Sequence, residues 1–226
     1  DNESSRYALS GVLFELNDED LIAVGTDGRR LAKMQGPSQS IGGHKTGEST
    51  IIVPSRALQL IDRALSDQEA QVKFSTHSND ILIQCSNVTI YSRLVEGRFP
   101  KWRDVFPKRD ENMRIELPVG LFYSAVRQAA IVTSEESRGV DFTFGEGNAV
   151  LAGEAAETGQ SRIELPIEYN GKPITVMLDP KYMSDFLKVL DADKIFSLEI
   201  KDSKSAAVCT TDDGYGYVIM PMARDR

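Results

Sequence analysis

The chain has 226 residues, of which 41% are hydrophobic and 27% charged, with 26 basic residues against 34 acidic and a formal net charge of −8. That is ordinary globular composition with room for one large or two ordinary domains, and no apolar run approaches the ~20 residues of a membrane helix. An acidic balance argues against a nucleic-acid binder unless the positive charge is confined to one face.

In chain order, the opening DNESSRYALS is acidic and polar and has no signal-peptide pattern. A strand-like run begins almost at once, at Tyr7, so the start reads as part of a longer chain. A Gly-Val pair at Gly11 leads a strand, a turn at Asn17–Asp20 and a second strand, and SIGGHKTGEST then reads as a flexible hairpin loop. The strand TIIV runs into Pro54, a helix-start signal for PSRALQLIDRAL. There Leu58, Ile61 and Leu65 form a core stripe, while Arg56, Gln59 and Arg63 share another face. Three short strands follow, with QVKFS and ILIQC alternating as one buried face requires. The Pro- and charge-rich FPKWRDVFPKRDENMRIELP reads as a linker, dividing the chain into 1–107 and 108–226.

After it, VGLFYSAVRQAAIVTSEESRG reads as a helix with Phe122, Ala125, Val126 and Ala129 at i, i+3, i+4, i+7 and with Arg127 on the face of Ser124 and Gln128. A second Gly-Val, at Gly139, leads a strand, a turn at Gly145–Asn148 and another strand. ITVMLD then runs into Pro180 and the helix PKYMSDFLKVL, whose stripe is Met183, Phe186, Leu187 and Leu190 and whose other side carries Lys181, Ser184 and Lys188. Three strands close the second half, ending on GYGYVIMPM, where Pro221 stops the last one. The halves therefore repeat an order of elements at near-equal spacing, with low identity. The expected fold is α+β: two similar domains, each with helices covering one side of a sheet, the first domain lacking the counterpart of the second's opening helix.

Few residues point to chemistry. His44 and His77, the only histidines, lack metal-ligand spacing, and SIGGHKTGEST lacks the phosphate-loop pattern. No nucleophile elbow or dinucleotide fingerprint is present. Glu135 and Glu136 read as a solvated helix end, and Cys85 and Cys209, inside strand-like runs, as buried thiols of a reducing, cytoplasmic compartment. No catalytic residue, metal or cofactor is expected. Arg56, Arg63, Arg127, Lys181 and Lys188 give each helix a polar face tipped positive. Such faces are either ordinary solvated surface or a lining for a polyanion. The alternative class is an enzyme or small-ligand-binding protein on a duplicated α+β fold, which needs a polar cleft with convergent titratable groups.

Five strings in order, RYALSGVLFE, TDGRRLA, LVEGRFPKW, TSEESRGV and YVIMPM, resemble the second and third domains of the bacterial DNA polymerase III β subunit, the β sliding clamps, and the resemblance covers essentially the whole chain. It implies a non-catalytic processivity factor in a head-to-tail homodimeric ring of three similar domains per subunit, each domain with antiparallel sheets outside and helices on the inner face. Such a ring encircles duplex DNA without reading sequence, tethers the polymerase III catalytic subunit and other replication and repair proteins, and is opened by an ATP-using clamp loader. The clamp needs no cofactor and touches no membrane. Partners insert a short linear motif into a hydrophobic pocket, whose matching positions here are Leu9, Thr26, Gly28, Arg29, Arg30, Leu31, Pro100, Val105, Val218, Ile219, Met220, Pro221 and Met222. The subunit interface maps to Ile131, Val132, Arg162 and Leu165, and the DNA-facing cations to the five named above. The chain departs from the family pattern at Arg29, where histidine is common, at Asp104, where a basic residue is expected, at Ser137, where an aromatic is common, and at Lys204, which replaces an apolar pocket-edge residue. ARDR also runs past the usual end.

Overall fold

The computed structural model describes residues 8–17, 19–42, 50–65, 70–85, 87–106, 114–134 and 137–223. Tyr7, His44, Glu135, Glu136, most of SIGGHKTGEST and the last three residues lie outside them. The chain divides into two compact units, residues 1–102 and 103–226.

In the first unit, strands β1 (Gly11–Leu16), β2 (Asp20–Thr26), β3 (Arg30–Pro37) and β4 (Ile51–Pro54) lie side by side in the order β4-β1-β2-β3, all antiparallel. Leu13 sits opposite both Val24 and Ile52, so one pleat face carries a continuous buried row. Phe14, Leu16, Ile51 and Val53 turn the other way into the core. Gly11 is required where β1 and β4 approach: a Cβ there would lie 2.6 Å from the Val53 carbonyl oxygen and 2.7 Å from an Ile52 methyl.

Helix α1 (Ser55–Ala64) follows directly. Pro54 occupies the N-cap, one position earlier than a first helical residue. The buried stripe is Ala57 and Ile61, with Leu58 half-buried on it and Leu65, just past the helix, likewise half-buried; the expected stripe is thus turned by about one residue toward Ala57. Strands β5 (Val72–His77), β6 (Asp80–Cys85) and β7 (Val88–Arg93) form a second antiparallel sheet, with Ile81, Ile83, Cys85 and Ile90 inward. An edge-to-face contact between Phe14 and Phe74, 5.8 Å between centroids, links the two strand sets.

The stretch read as a linker contains structure at both ends. Trp102 is buried and its Nε1–H donates to Glu15 Oε1 (3.2 Å), and it opens a single helical turn, α2 (Trp102–Val105). The RIELP end is strand β8 (Arg114–Pro118), with Ile115 and Leu117 buried in alternation. Two polar-looking pieces are thus held by tertiary partners that local composition does not reveal.

The second unit continues with α3 (Val119–Ala129), a 3-10 turn (Ala130–Val132), β9 (Val140–Gly145), β10 (Asn148–Ala155), β11 (Gly159–Pro166), β12 (Ile174–Leu178), α4 (Pro180–Leu187), β13 (Ile195–Glu199), β14 (Ala207–Thr210) and β15 (Gly216–Ile219). Strand neighbours run β11-β10-β9-β12 and β8-β13-β14-β15. The first set reproduces the order β3-β2-β1-β4, and β13-β14-β15 after α4 reproduces β5-β6-β7 after α1. The repeat read from the sequence is therefore a repeat of topology. Helix α3 is shorter than read, because Thr133 turns its N–H and hydroxyl onto the Ala130 carbonyl (3.1 and 2.8 Å). Asp179 caps α4 by accepting from the Lys181 N–H (2.9 Å), with Pro180 at the first helical position. Phe122 is fully buried among Phe142, Phe144 and Phe196 at 6.2, 6.4 and 5.7 Å, and Phe186 extends this aromatic core to Tyr215 and Tyr217.

Candidate functional site

The β2–β3 connection is a cross-bonded turn. Gly28 adopts φ +87°, which favours glycine. Its N–H donates to Thr26 Oγ1 (3.1 Å), and the Thr26 hydroxyl donates to the Arg30 carbonyl (2.6 Å). Asp27 Oδ1 accepts from the N–H groups of Arg29 (3.0 Å) and Arg30 (3.1 Å), and Oδ2 accepts from Arg30 Nε (2.9 Å). Burial pushes the Asp27 carboxyl up, but the Arg29 N–H and the Arg30 guanidinium and N–H outweigh it and hold the group below its usual value. Arg30 is thus engaged with Asp27, Arg29 is exposed, and Leu31 is buried behind the turn. Leu9 and Pro100 are both half-buried, and the Ala8 N–H donates to the Arg98 carbonyl (3.0 Å), which lays the LVEGRFPKW loop beside the start of the first unit.

In the second unit, Val218 and Ile219 are buried within β15, and the ladder to β14 ends at the Ala207–Ile219 pair. Pro221 has no N–H to extend it. Met220 is 44% exposed, Pro221 and Met222 are half-buried, and Val105 is exposed. The Met222 N–H donates to the Met177 carbonyl (2.8 Å), so the segment docks again, on β12. There Met222 lines a cleft of about 700 Å³ with Asp141, Thr175, Met177, Ser203, Lys204 and Ala223. Gly139 leaves room for one wall: a Cβ there would lie 2.5 Å from Met177 Sδ. Sequence reasoning named Met222 and Lys204 but missed the other lining residues. The signal available was the outward alternation of Asp141 and Thr143 on β9 and of Thr175 and Met177 on the paired β12.

The five cations assigned to helix faces are all exposed, and Lys188 stands one residue past the end of α4, which is shorter than the expected PKYMSDFLKVL. Arg127 lies over the Tyr123 ring at 5.8 Å, and Lys188 pairs with Asp185. Of the interface positions, Ile131 is exposed and Val132 is buried, with its carbonyl accepting from the Thr158 hydroxyl. Arg162 is exposed and paired with Glu164 (2.8 Å), and Leu165 is half-buried. The Ser161 hydroxyl donates to the Ala129 carbonyl (2.8 Å), which ties β11 to the end of α3 and brings these four positions into one region.

Among the described residues, no group of three His, Cys, Asp or Glu side chains gathers to hold a metal. Cys85 and Cys209 are buried, and burial pushes the Cys209 thiol well above its usual value.

Residues 1–101 match the family described as DNA polymerase III beta subunit, central domain, and residues 103–223 match its C-terminal domain. The chain is 30% identical over 230 residues to the beta sliding clamp of Escherichia coli strain K12, covering 98% of this chain and 59% of that one. It is 29% identical over 220 residues to the beta sliding clamp of Chlamydia pneumoniae, covering 97% and 58%. Its structure is similar to that of a Pseudomonas aeruginosa sliding clamp bound to griselimycin, with a TM-score of 0.86 and 27% identity over 99% of this chain and 60% of that one. The chain thus spans about three fifths of the length of these relatives.

Proposed function

This chain belongs to the DNA polymerase III beta subunit family, and from that premise we propose that it supplies the middle and C-terminal domains of a sliding clamp. The observation that carries this reading is that the two family domains follow one another along the chain, one on each compact unit. In this account the protein is a cytoplasmic, non-catalytic processivity factor that works without cofactor. As a homodimeric ring opened by a clamp loader, it encircles duplex DNA and tethers the polymerase III catalytic subunit and other partners.

Arg56, Arg63, Arg127, Lys181 and Lys188 are its DNA-facing charges. Loose contact with phosphates, screened by salt and indifferent to sequence, suits a ring that slides. Five cations on helix faces, within a chain of net −8, keep such contact weak. Ile131, Val132, Arg162 and Leu165 contribute to the subunit interface, Val132 from beneath the surface.

Partner peptides contact Met220, Pro221 and Met222, with Val218 and Ile219 supporting them from the core, and the exposed Val105 is a further contact. The turn Thr26–Leu31, with Leu9 and Pro100, is a further contact. Methionine side chains adapt to varied apolar ligands, as a protein with several competing partners requires. The test is titration of this chain with a fluorescent peptide carrying a clamp-binding motif. Saturable binding that griselimycin displaces is the expected result, and no binding of either ligand at millimolar concentration overturns the proposal.

A further inference from the structure

The cleft lined by Met222 combines two methionines with one unneutralised cation. Met177 and Met222 both line it, held to each other by the backbone bond between them (2.8 Å). Two charged residues line it as well, and they differ in kind. Asp141 is half-buried and already partnered. Lys204 is exposed, and among the described residues no carboxylate lies within ion-pairing distance of it.

The carboxylate nearest to Lys204 in sequence, Asp202, is turned onto its own loop. It accepts from the N–H groups of Lys204 (2.8 Å) and Ser205 (2.7 Å) and from the Ser205 hydroxyl (2.9 Å). These bonds fix the backbone that presents Lys204 while turning the neighbouring carboxylate of Asp202 onto its own loop. The cleft therefore offers an apolar side chain a soft, polarizable seat and offers a neighbouring anion a single ammonium.

We propose that Lys204 is a specificity residue that selects peptide partners carrying an aspartate or glutamate beside the apolar side chain seated between Met177 and Met222. The inference rests on the peptide-binding reading above and names the class of peptide that reading left open. In a chain of net −8 the attraction is local, acting within about a Debye length, ~8 Å at physiological salt. Because the pair stays partly in water, its selectivity is modest, about twofold to fivefold.

The experiment uses two fluorescent decapeptides with amidated C-termini, one containing Leu-Phe-Asp and the other Leu-Phe-Asn. Each is titrated against the chain and against Lys204→Met and Lys204→Glu at low and high salt. The ε-methyl resonances of the methionines are followed in parallel, with buried Met183 as internal reference. The expected result is that the chain favours the Asp peptide about twofold to fivefold at low salt. Lys204→Met removes the preference, Lys204→Glu reverses it, and high salt narrows it. The Met177 methyl, which lies outside the residues assigned to peptide contact above, moves on binding. Equal affinity for both peptides, a preference that survives Lys204→Met, or an unmoved Met177 methyl overturns the inference. Binding of griselimycin but of neither peptide also overturns it and leaves the peptide-binding reading standing, whereas failure of all three ligands overturns both.

Discussion

Met220→Ala tests the partner-binding surface with a cost that can be worked from its exposure. Fully burying a methionine side chain is worth ~1.5–3 kcal/mol. Met220 is 44% exposed, so that share of the gain is still open to a ligand. Covering it contributes about 0.7–1.3 kcal/mol, or roughly threefold to ninefold in affinity, and Met220→Ala should lose that amount. Met34 supplies a matched control, because it is 42% exposed on β3 and belongs to no assigned contact. The assay is isothermal calorimetry with griselimycin and with a clamp-binding peptide, after melting curves show that both variants are folded. A threefold to ninefold weakening in Met220→Ala, with Met34→Ala within error of the parent, is the expected pattern. If both variants weaken alike, or if Met220→Ala binds as the parent does, the assignment of this surface is wrong.

Two further outcomes rest on the structure and a third on the proposed DNA-facing surface. Phe122→Ala removes the ring around which Phe142, Phe144 and Phe196 pack, and should destabilise the second unit by ~3–5 kcal/mol in denaturant titration; a loss under ~1 kcal/mol would contradict that packing. Because the Asp27 carboxyl titrates below its ordinary value of 3.8, its support of the turn is full above that value and fades as pH falls through the lowered one. Amide exchange at Arg29 and Arg30 should show this acid-linked loosening in the parent, and Asp27→Asn should abolish the pH step. Arg56→Glu with Arg63→Glu should weaken duplex DNA binding and flatten its salt dependence by ~0.9 log unit per lost phosphate contact, whereas Lys73→Glu on β5 should not; equal effects would remove α1 from the DNA-facing surface.

The duplicated architecture was legible because its punctuation repeats. Pro54 and Pro180 open α1 and α4, and the two Gly-Val pairs recur where a glycine lets a neighbouring strand or side chain approach closely, Val53 in one case and Met177 in the other. What escaped the sequence depends on partners far along the chain. Strand β8 is five residues in a charged stretch, and only its pairing with β13 makes Ile115 and Leu117 core residues. Trp102 looks like linker until its indole meets Glu15. Helix α3 was overextended because the residues after Ala129 tolerate helix. Its end is set by Thr133 and by the contact of Ser161 with the Ala129 carbonyl, which local propensity does not contain. The cleft draws on four separated segments, so periodicity within any one of them could not outline it.

The central claim is that this sequence belongs to a ring held on DNA by topology. The direct measurement is retention on DNA: the protein that carries this sequence is loaded by its clamp loader onto nicked circular DNA, and the bound fraction is followed by gel filtration before and after the circle is cut. The account predicts persistence on the circle and prompt loss from the linear product. Equal retention on both would mean that adhesion, and not encirclement, holds the protein on DNA, and would contradict the account.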